Sequence, residues 1–443
     1  MECHRTNLSR AIAGVTLLVT ATGLFSSQAP AGAATKINCH VRPHARIDLE
    51  GCDLSGRAFN GVNLFAANLK GANLQGVELI GANLTRANLT GANLNLADLS
   101  RTRLHGAILS QVSSGSIIGK PSLPVSLRLV SGYLVGPRAN LANADLSTAN
   151  LAHADLFDAQ LTNATLTDVS SGFVTGNPIL PANWKMVDGY LVGPGANLSR
   201  ARLGNANLSL VDASGANFTN ANLTSSNLPG SNLSGVVFTG AKLAGARMNG
   251  ANLDGVTSGS IVGRPVLPPG WLLVNGYLIG NGAILTDANL FNGNLHNADL
   301  VNADLSGAIL TGVSSGGVEG QFTVKLPNSW AMLNGYLVGP SANLRGANLA
   351  GSNSGTSGDD LEGANLAGAN LSGAYWFGMN LIDANLSGAN LSGASLIISQ
   401  MTDTNLTGTN LTGAKFTDTD TSSVITGATT ICPSGSSGPC ASL

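Results

Sequence analysis

Large apolar residues recur every five positions over most of this chain. Leucine or phenylalanine holds that register from Leu49 to Leu109, and it returns after each of several interruptions. The later stretches are Leu141 to Leu166, Leu198 to Leu253, Leu285 to Leu310, Leu344 to Leu349 and Leu361 to Phe416. The consensus of one repeat is Ala-(Asn/Asp)-Leu-(Ser/Thr)-Gly. A period of five matches neither the roughly 3.6 residues of an amphipathic helix nor the alternation of a strand.

The five-residue period predicts a stacked coil instead. If each repeat forms one short extended side followed by a turn, four sides close a coil of about 20 residues, and coils stack through backbone hydrogen bonds. The central Leu and the Ala two positions before it then point inward. Asn or Asp and the two residues after Leu face solvent. The sequence therefore predicts an all-β solenoid.

These repeats closely resemble the pentapeptide-repeat family over nearly the whole mature chain. The resemblance implies a right-handed quadrilateral β-helix, and the handedness comes from the family and not from the spacing. Some positions depart from the pattern, because Ala213, Trp376 and Met401 hold central positions and Arg57 replaces an inward Ala. The register also slips by two between Leu349 and Leu361, which predicts a small bulging loop.

A second motif interrupts the repeats four times, at about 110–138, 167–195, 254–282 and 311–341. Each copy has a short β-prone run, a Leu-Pro step and an apolar segment divided by a turn dipeptide. Asn-Gly or Asp-Gly between apolar runs is a strong hairpin signal. We therefore predict a β-hairpin in every insert, protruding from the coil. The dipeptides are Ser131-Gly132, Asp188-Gly189, Asn275-Gly276 and Asn334-Gly335.

The corner that carries each insert depends on how much of a turn the insert itself contributes. If an insert takes up no side, the six repeats between the first and second inserts place these two at opposite corners. If each insert supplies one side, inserts one and three share a corner, and inserts two and four share the neighbouring one. The sequence is compatible with both arrangements.

Aromatic residues recur at equivalent positions of the inserts, among them Trp184, Trp271 and Trp330. Aromatic surface in proteins is mostly used for burial, so packing of each hairpin against the coil is the favoured interpretation. The alternative is that the three Trp rings make surface contacts, for example with sugar rings. They are the candidate contact residues of this sequence.

The first residues of the chain carry an export signal. Residues 1–34 combine Arg5 and Arg10 with an apolar run and a small-residue cleavage motif, which predicts a signal peptide. We therefore expect a protein secreted without a membrane anchor. The mature chain then comprises a cap at 35–48, the β-helix at 49–421 and a second cap at 422–443.

Four cysteines remain after removal of the predicted signal peptide, in one close pair near each end. Cys39 with Cys52, and Cys432 with Cys440, are predicted to form two terminal disulfides, as suits an exported protein. A zinc site is the competing interpretation, but it would have to bring both ends of the solenoid together.

Charge narrows the classes of partner. The full chain has 22 basic and 24 acidic residues, and loss of Glu2, Arg5 and Arg10 with the signal peptide leaves a net charge of −3. So small a charge offers no polybasic patch, so no nucleic acid partner and no membrane insertion after signal cleavage are expected. Some pentapeptide-repeat proteins mimic DNA and act on type II topoisomerases, but those need a strongly acidic surface and a cytoplasmic location.

Catalytic groups do not converge in this sequence. His40, His44, His105, His153 and His296 are scattered, and the inserts repeat only Ser, Gly, Pro and aromatic residues. We predict no enzyme activity, no cofactor and no metal. The leading hypothesis is a non-catalytic scaffold or interaction protein, with binding of glycan, cell wall or ice as the alternative. Partners are then an extracellular polysaccharide or another protein, and end-to-end association of the rods is left open.

Overall fold

The computed structural model describes residues 37–355, 359–441 and 443. The predicted signal peptide lies outside the described residues, as do the first two residues of the N-terminal cap. Across the described part of the chain the secondary structure is β, with no helix. No helix long and apolar enough to cross a membrane was found in that part.

The five-residue repeats form a β-helix. Residues one coil apart are joined by parallel bridges, as in the series Asn73, Asn93 and Ser113. Each ordinary coil contributes four such bridging residues, five positions apart, so four ladders run along the rod. Backbone bonds hold each ladder together, for example from the Leu69 amide to the Asn88 carbonyl at 2.7 Å. This spacing agrees with four sides per coil.

The inward positions are those predicted. Central leucines such as Leu74 and preceding alanines such as Ala72 have no exposed surface. Where a hydroxyl replaces Ala, it can bond to a backbone carbonyl: Thr102 Oγ1 donates to Leu79 of the preceding coil at 2.7 Å, and Ser226 Oγ donates to Leu223 of its own coil at 2.7 Å. No buried side-chain nitrogen or oxygen among the described residues lacks a hydrogen-bond partner. The stack therefore accepts polar exceptions without an unpaired group.

The corners need a left-handed backbone. Gly71 has φ 62°, a conformation that favours glycine because it has no Cβ. The Asn or Asp at the start of the turn stabilises it through its side chain, as when the Thr85 amide donates to Asn83 Oδ1 at 3.2 Å. The consensus Asn and Gly thus build the corners.

The departures from the consensus are accommodated individually. Arg57 is partly buried and donates from Nη1 to the Cys39 carbonyl at 2.9 Å, which ties the first coils to the N-terminal cap. Trp376 donates from Nε1 to Ser352 Oγ at 2.9 Å inside the core. The slip in register lengthens one side, since the bridge from Asn348 to Asn370 spans 22 residues.

Every insert contains the predicted antiparallel hairpin. The four pairs are β1 (Arg128–Val130) with β2 (Tyr133–Val135), β3 (Lys185–Val187) with β4 (Tyr190–Val192), β5 (Leu272–Val274) with β6 (Tyr277–Ile279), and β7 (Ala331–Leu333) with β8 (Tyr336–Val338). Three further strands form a parallel sheet in the last coils, β9 (Tyr375–Phe377), β10 (Ser395–Ile397) and β11 (Lys415–Thr417).

The expectation that the hairpins protrude is wrong, because their second strands lie within the stack. Leu134 and Val135 are each about 1% exposed. Alternation along the strand sends Leu134 to the core on the N-terminal side and Val135 to the core on the C-terminal side. Leu337 and Val338 divide the cores at the fourth insert in the same way. The second strand therefore separates two core clusters at inserts one, two and four, whereas Leu278 and Ile279 of the third insert belong to one continuous cluster.

The structure decides between the two arrangements of inserts. The bridge from Ser113 to Asn140 spans 27 residues, so the first insert forms one complete, enlarged coil and takes up no net side. We call the ladder through Ser113, Asn140 and Gln160 wall 1, and the ladder two sides further on, through Ser170 and Asn197, wall 3. The ladder of wall 1 runs unbroken past inserts one and four, and the ladder of wall 3 runs unbroken past inserts two and three.

Each insert interrupts the other three ladders. At the first insert Ile118 and Ser122 bridge only to the coil before them, and Asp145 and Asn150 only to the coil after them. The hairpin tyrosine spans part of this gap, because the Asp145 amide donates to the Tyr133 hydroxyl at 3.1 Å. One wall and the hairpin therefore join successive segments of the rod.

The cysteine pairs close both ends. Cys39 and Cys52 are bonded, with their Cα atoms 5.5 Å apart, and so are Cys432 and Cys440, at 5.6 Å. The ladders continue past residue 421 to Ile425 and Ile431, so the last coil includes part of the predicted C-terminal cap.

Candidate interaction surfaces

The insert tryptophans pack against glycines. The ring of Trp271 lies on Gly280, where a Cβ atom would overlap it, and Trp184 and Trp330 lie in the same way on Gly193 and Gly339. All three rings are partly buried and contact the hydrophobic core. The first insert has a leucine at this position, Leu127, against Gly136. Packing thus engages one face of each ring.

The structure does not bring the three tryptophans together. The inserts of Trp184 and Trp271 lie four coils apart, since four bridges lead from Ser170 to Thr257. At about 4.8 Å per coil this separates them by roughly 19 Å. Trp330 belongs to an insert that continues through the opposite wall. The rings therefore form separate sites and not one platform.

Some of the outward polar groups bond to one another. On wall 1 the amide of Asn93 donates from Nδ2 to Asn73 Oδ1 at 3.2 Å, and Asn385 donates to Asn365 at 3.5 Å. These ladders use the amide groups that a ligand would otherwise meet. Where this ladder forms, the wall has less free hydrogen-bonding capacity.

A groove on wall 1 at the first insert differs from the regular wall. Its volume is about 580 Å³. Arg138 and Asp158 form an exposed ion pair at 3.7 Å on one rim, and the Arg138 guanidinium lies 5.7 Å from the centre of the Phe157 ring. The lining residues are Gly91, Gln111, Ser113, Arg138, Asn140, Ala142, Asp158, Gln160 and Thr162.

The titratable groups are arranged as structural partners. Hydrogen bonds from the Ser306 side chain and amide, followed by Lys325, lower the pKa of Asp304 to about 2. Burial raises the pKa of Asp359. No group of three or more His, Cys, Asp or Glu side chains that could hold a metal occurs within residues 37–355 and 359–441. His44 Nδ1 lies 2.9 Å from the Ala45 carbonyl oxygen.

Sequence reasoning missed the wall 1 groove, although the inserts contain a signal for it. When the four copies are aligned, Arg138 stands where the others have Gly195, Gly282 and Ser341. It also missed the stacked pair of His153 and Phe173, whose ring centres are 5.0 Å apart. Both features join residues in consecutive coils.

The described coils correspond to a known repeat. The family model for pentapeptide repeats (8 copies) matches more than half of the chain, at residues 45–79, 78–113, 138–170, 195–228, 216–255, 282–314, 360–397 and 384–420. The chain belongs to the pentapeptide-repeat family. The unmatched stretches of this pentapeptide-repeat protein include its four hairpins.

Solved structures of similar proteins include three pentapeptide-repeat proteins. HetL from the cyanobacterium Nostoc sp. strain PCC 7120 is 18% identical, with 88% of this chain and 92% of HetL covered and a TM-score of 0.13. Rfr23 from Cyanothece 51142 is 18% identical over 32% of this chain and 90% of its own, with a TM-score of 0.13. QnrB1, a plasmid-mediated fluoroquinolone resistance protein, is 11% identical over 84% and 93%, with a TM-score of 0.11. No curated protein matches the chain.

Proposed function

We propose that this pentapeptide-repeat protein is a non-catalytic, exported interaction scaffold. The observation that carries the proposal is the interruption of a regular rod by four hairpins whose second strands are largely buried. Each hairpin breaks three ladders and so changes the surface at defined positions along a regular wall. A solenoid of this kind presents an extended surface to partners, and changes in the wall supply local specificity.

Export is supported by the predicted signal peptide at 1–34 and by the bonded cysteine pairs. Disulfides persist in oxidising compartments and are rare in the cytosol. Cys39–Cys52 and Cys432–Cys440 hold the two ends, where a solenoid otherwise leaves unpaired edges. The protein is therefore suited to function outside the membrane.

A binding screen of the exported, disulfide-bonded protein tests this function. We expect saturable binding to a glycan array, to cell-wall polymers or to a captured protein, with the bound molecule recovered chemically unchanged. Trp184→Ala, Trp271→Ala and Trp330→Ala, each checked for folding, show whether the hairpin rings contribute. Turnover of the bound molecule, retention of the protein in the cytoplasm, or inhibition of a type II topoisomerase would refute the proposal.

Binding to an extracellular glycan or cell-wall polymer is a second candidate function. The groove on wall 1 favours it, because its lining is polar and carries one cation and one anion. Such a lining can donate and accept hydrogen bonds without selecting a charged ligand.

A further inference from the structure

The wall 1 groove lies where the first insert departs from the other three. Arg138 occupies a corner with φ 56°, and the residues below and above it at that corner, Gln111 and Asp158, also have positive φ. Glycine meets this backbone requirement in the inserts with Gly195 and Gly282. The first insert thus places three long or charged side chains at positions that glycine would fill with less strain.

The side chains of the groove do not continue the amide ladder. Asn140 donates from Nδ2 to Ser113 Oγ at 3.0 Å, and Gln160 donates to the Asp158 carbonyl at a weak 3.4 Å. Within the described residues the side chains of Gln111 and Thr162 make no hydrogen bond. Hydrogen-bonding capacity that the amide ladder uses elsewhere on wall 1 is therefore available here.

The fourth insert shows the contrast on the same wall. There Asn365 donates from Nδ2 to Asn343 Oδ1 at 3.4 Å, so the amide ladder resumes in the coil that follows the insert. The equivalent corner positions are the small residues Gly312 and Ser341. The two inserts share a fold and differ in the side chains that they present.

Part of the groove backbone is already paired. The Leu141 amide donates to the Gln160 carbonyl at 2.7 Å, and the Gln111 amide to the Arg138 carbonyl at 2.6 Å. An extended peptide binds a sheet mainly through free main-chain groups at an edge, and these paired groups are not available to it. At these positions a ligand is recognised by side chains.

The chemistry of those side chains is that of a site for hydroxyl groups. The amides of Gln111, Asn140 and Gln160 and the paired Arg138 and Asp158 offer donors and acceptors with no net charge. The volume of about 580 Å³ is within the range of small-molecule sites. The Phe157 ring, 5.7 Å from the guanidinium of the lining residue Arg138, is 44% exposed and offers a flat apolar surface beside the groove.

We propose that this groove binds a neutral, linear oligosaccharide lying along the axis of the rod. Sugar hydroxyls bond to the amides of the floor and to the Arg138–Asp158 pair, and a sugar ring contacts Phe157. The inference rests on the second candidate function and assigns that function to one site. It also predicts discrimination against acidic sugars, because the only cation of the groove lining is paired with Asp158.

The test converts the groove into an ordinary wall. Gln111→Gly and Arg138→Gly introduce the residue that fits the left-handed corner, and Gln160→Asn restores the ladder residue. These changes relieve backbone strain, so the triple variant should fold at least as stably as the parent protein. Ser341→Gly is the matched control, since it alters the equivalent corner of the fourth insert.

Calorimetric titrations of the full exported protein use cellohexaose, chitohexaose, laminarihexaose and maltohexaose, with hexagalacturonate as the acidic probe. At least one neutral probe should bind the parent protein. Its affinity for the triple variant should be at least about tenfold lower, and its affinity for the Ser341→Gly control should be unchanged. Absence of binding by every neutral probe overturns the inference, as does equal binding by the triple variant. Preferential binding of hexagalacturonate overturns the neutral assignment, and binding of a peptide that the triple variant loses overturns the carbohydrate assignment. If a wall polymer or protein partner binds parent and triple variant equally, the scaffold function stands without this groove.

Discussion

Replacement of Gly280 by alanine should destabilise the third insert through a single contact. The φ angle of Gly280 lies outside the left-handed region, so an alanine there has no backbone penalty. A Cβ atom would instead overlap three ring atoms of Trp271. Overpacking of this kind costs about 1–3 kcal/mol, because the ring or the strand must move.

A double-mutant cycle isolates that contact. With Trp271→Ala the obstructing ring is absent, so the added cost of Gly280→Ala should fall below about 0.5 kcal/mol and leave a coupling energy of at least about 1 kcal/mol. Gly204→Ala is the control, since its Cβ would meet its nearest neighbour at an ordinary 3.6 Å and its φ is not left-handed.

Hydrogen exchange is the appropriate assay, because a segmented solenoid need not unfold in one two-state step. Amides of β5 and β6 should exchange faster in Gly280→Ala, while those of the first coils remain unchanged. An equal cost of Gly280→Ala with and without Trp271 would refute packing as the role of the ring.

Three further predictions concern other contacts. Tyr190→Phe removes the hydroxyl that accepts the Arg202 amide at 3.0 Å, and it should lower the free energy of unfolding, measured by denaturation, by about 0.5–1.5 kcal/mol. Tyr277→Phe should lower it by less, because the Tyr277 hydroxyl has no such bond within the described residues. Asp304, with its pKa lowered to about 2, stabilises the fold above its unfolded pKa of about 4, and this contribution disappears as pH falls through about 2. In an acid titration, Asp304→Asn should therefore lose less stability than the parent protein. An unchanged profile would contradict the assignment. Selective reduction of Cys39–Cys52 should destabilise the first coils by about 2–4 kcal/mol, as measured by hydrogen exchange, and leave the amides at the centre of the rod protected. Uniform loss of protection would show long-range cooperativity instead.

Several features of the fold were predictable because their causes are local. The five-residue period requires an inward Leu in every side, and Leu74 and its counterparts are buried as expected. The turn dipeptides identified the hairpins, since Asn275-Gly276 lies between β5 and β6. Both signals depend on a few consecutive residues.

The candidate contact residues were predictable only in part. The repetition of Trp184, Trp271 and Trp330 indicated packing, and each ring does lie on a glycine. Their surroundings could not be inferred, because that glycine is nine residues away in sequence and reaches the ring only when the hairpin closes.

Local spacing along the chain specifies the repeat, the hairpins and the capacity for a disulfide at each end. The course of the second hairpin strands through the interior emerges only in the folded coil, since it depends on the path of a whole enlarged coil, 27 residues at the first insert, and on the core volume that this coil encloses. The same path broke three ladders at each insert and brought Gln111, Arg138 and Asp158 to one corner. Stacking makes neighbours of residues 20 or more positions apart, and a local pattern does not specify the chemistry of such neighbours.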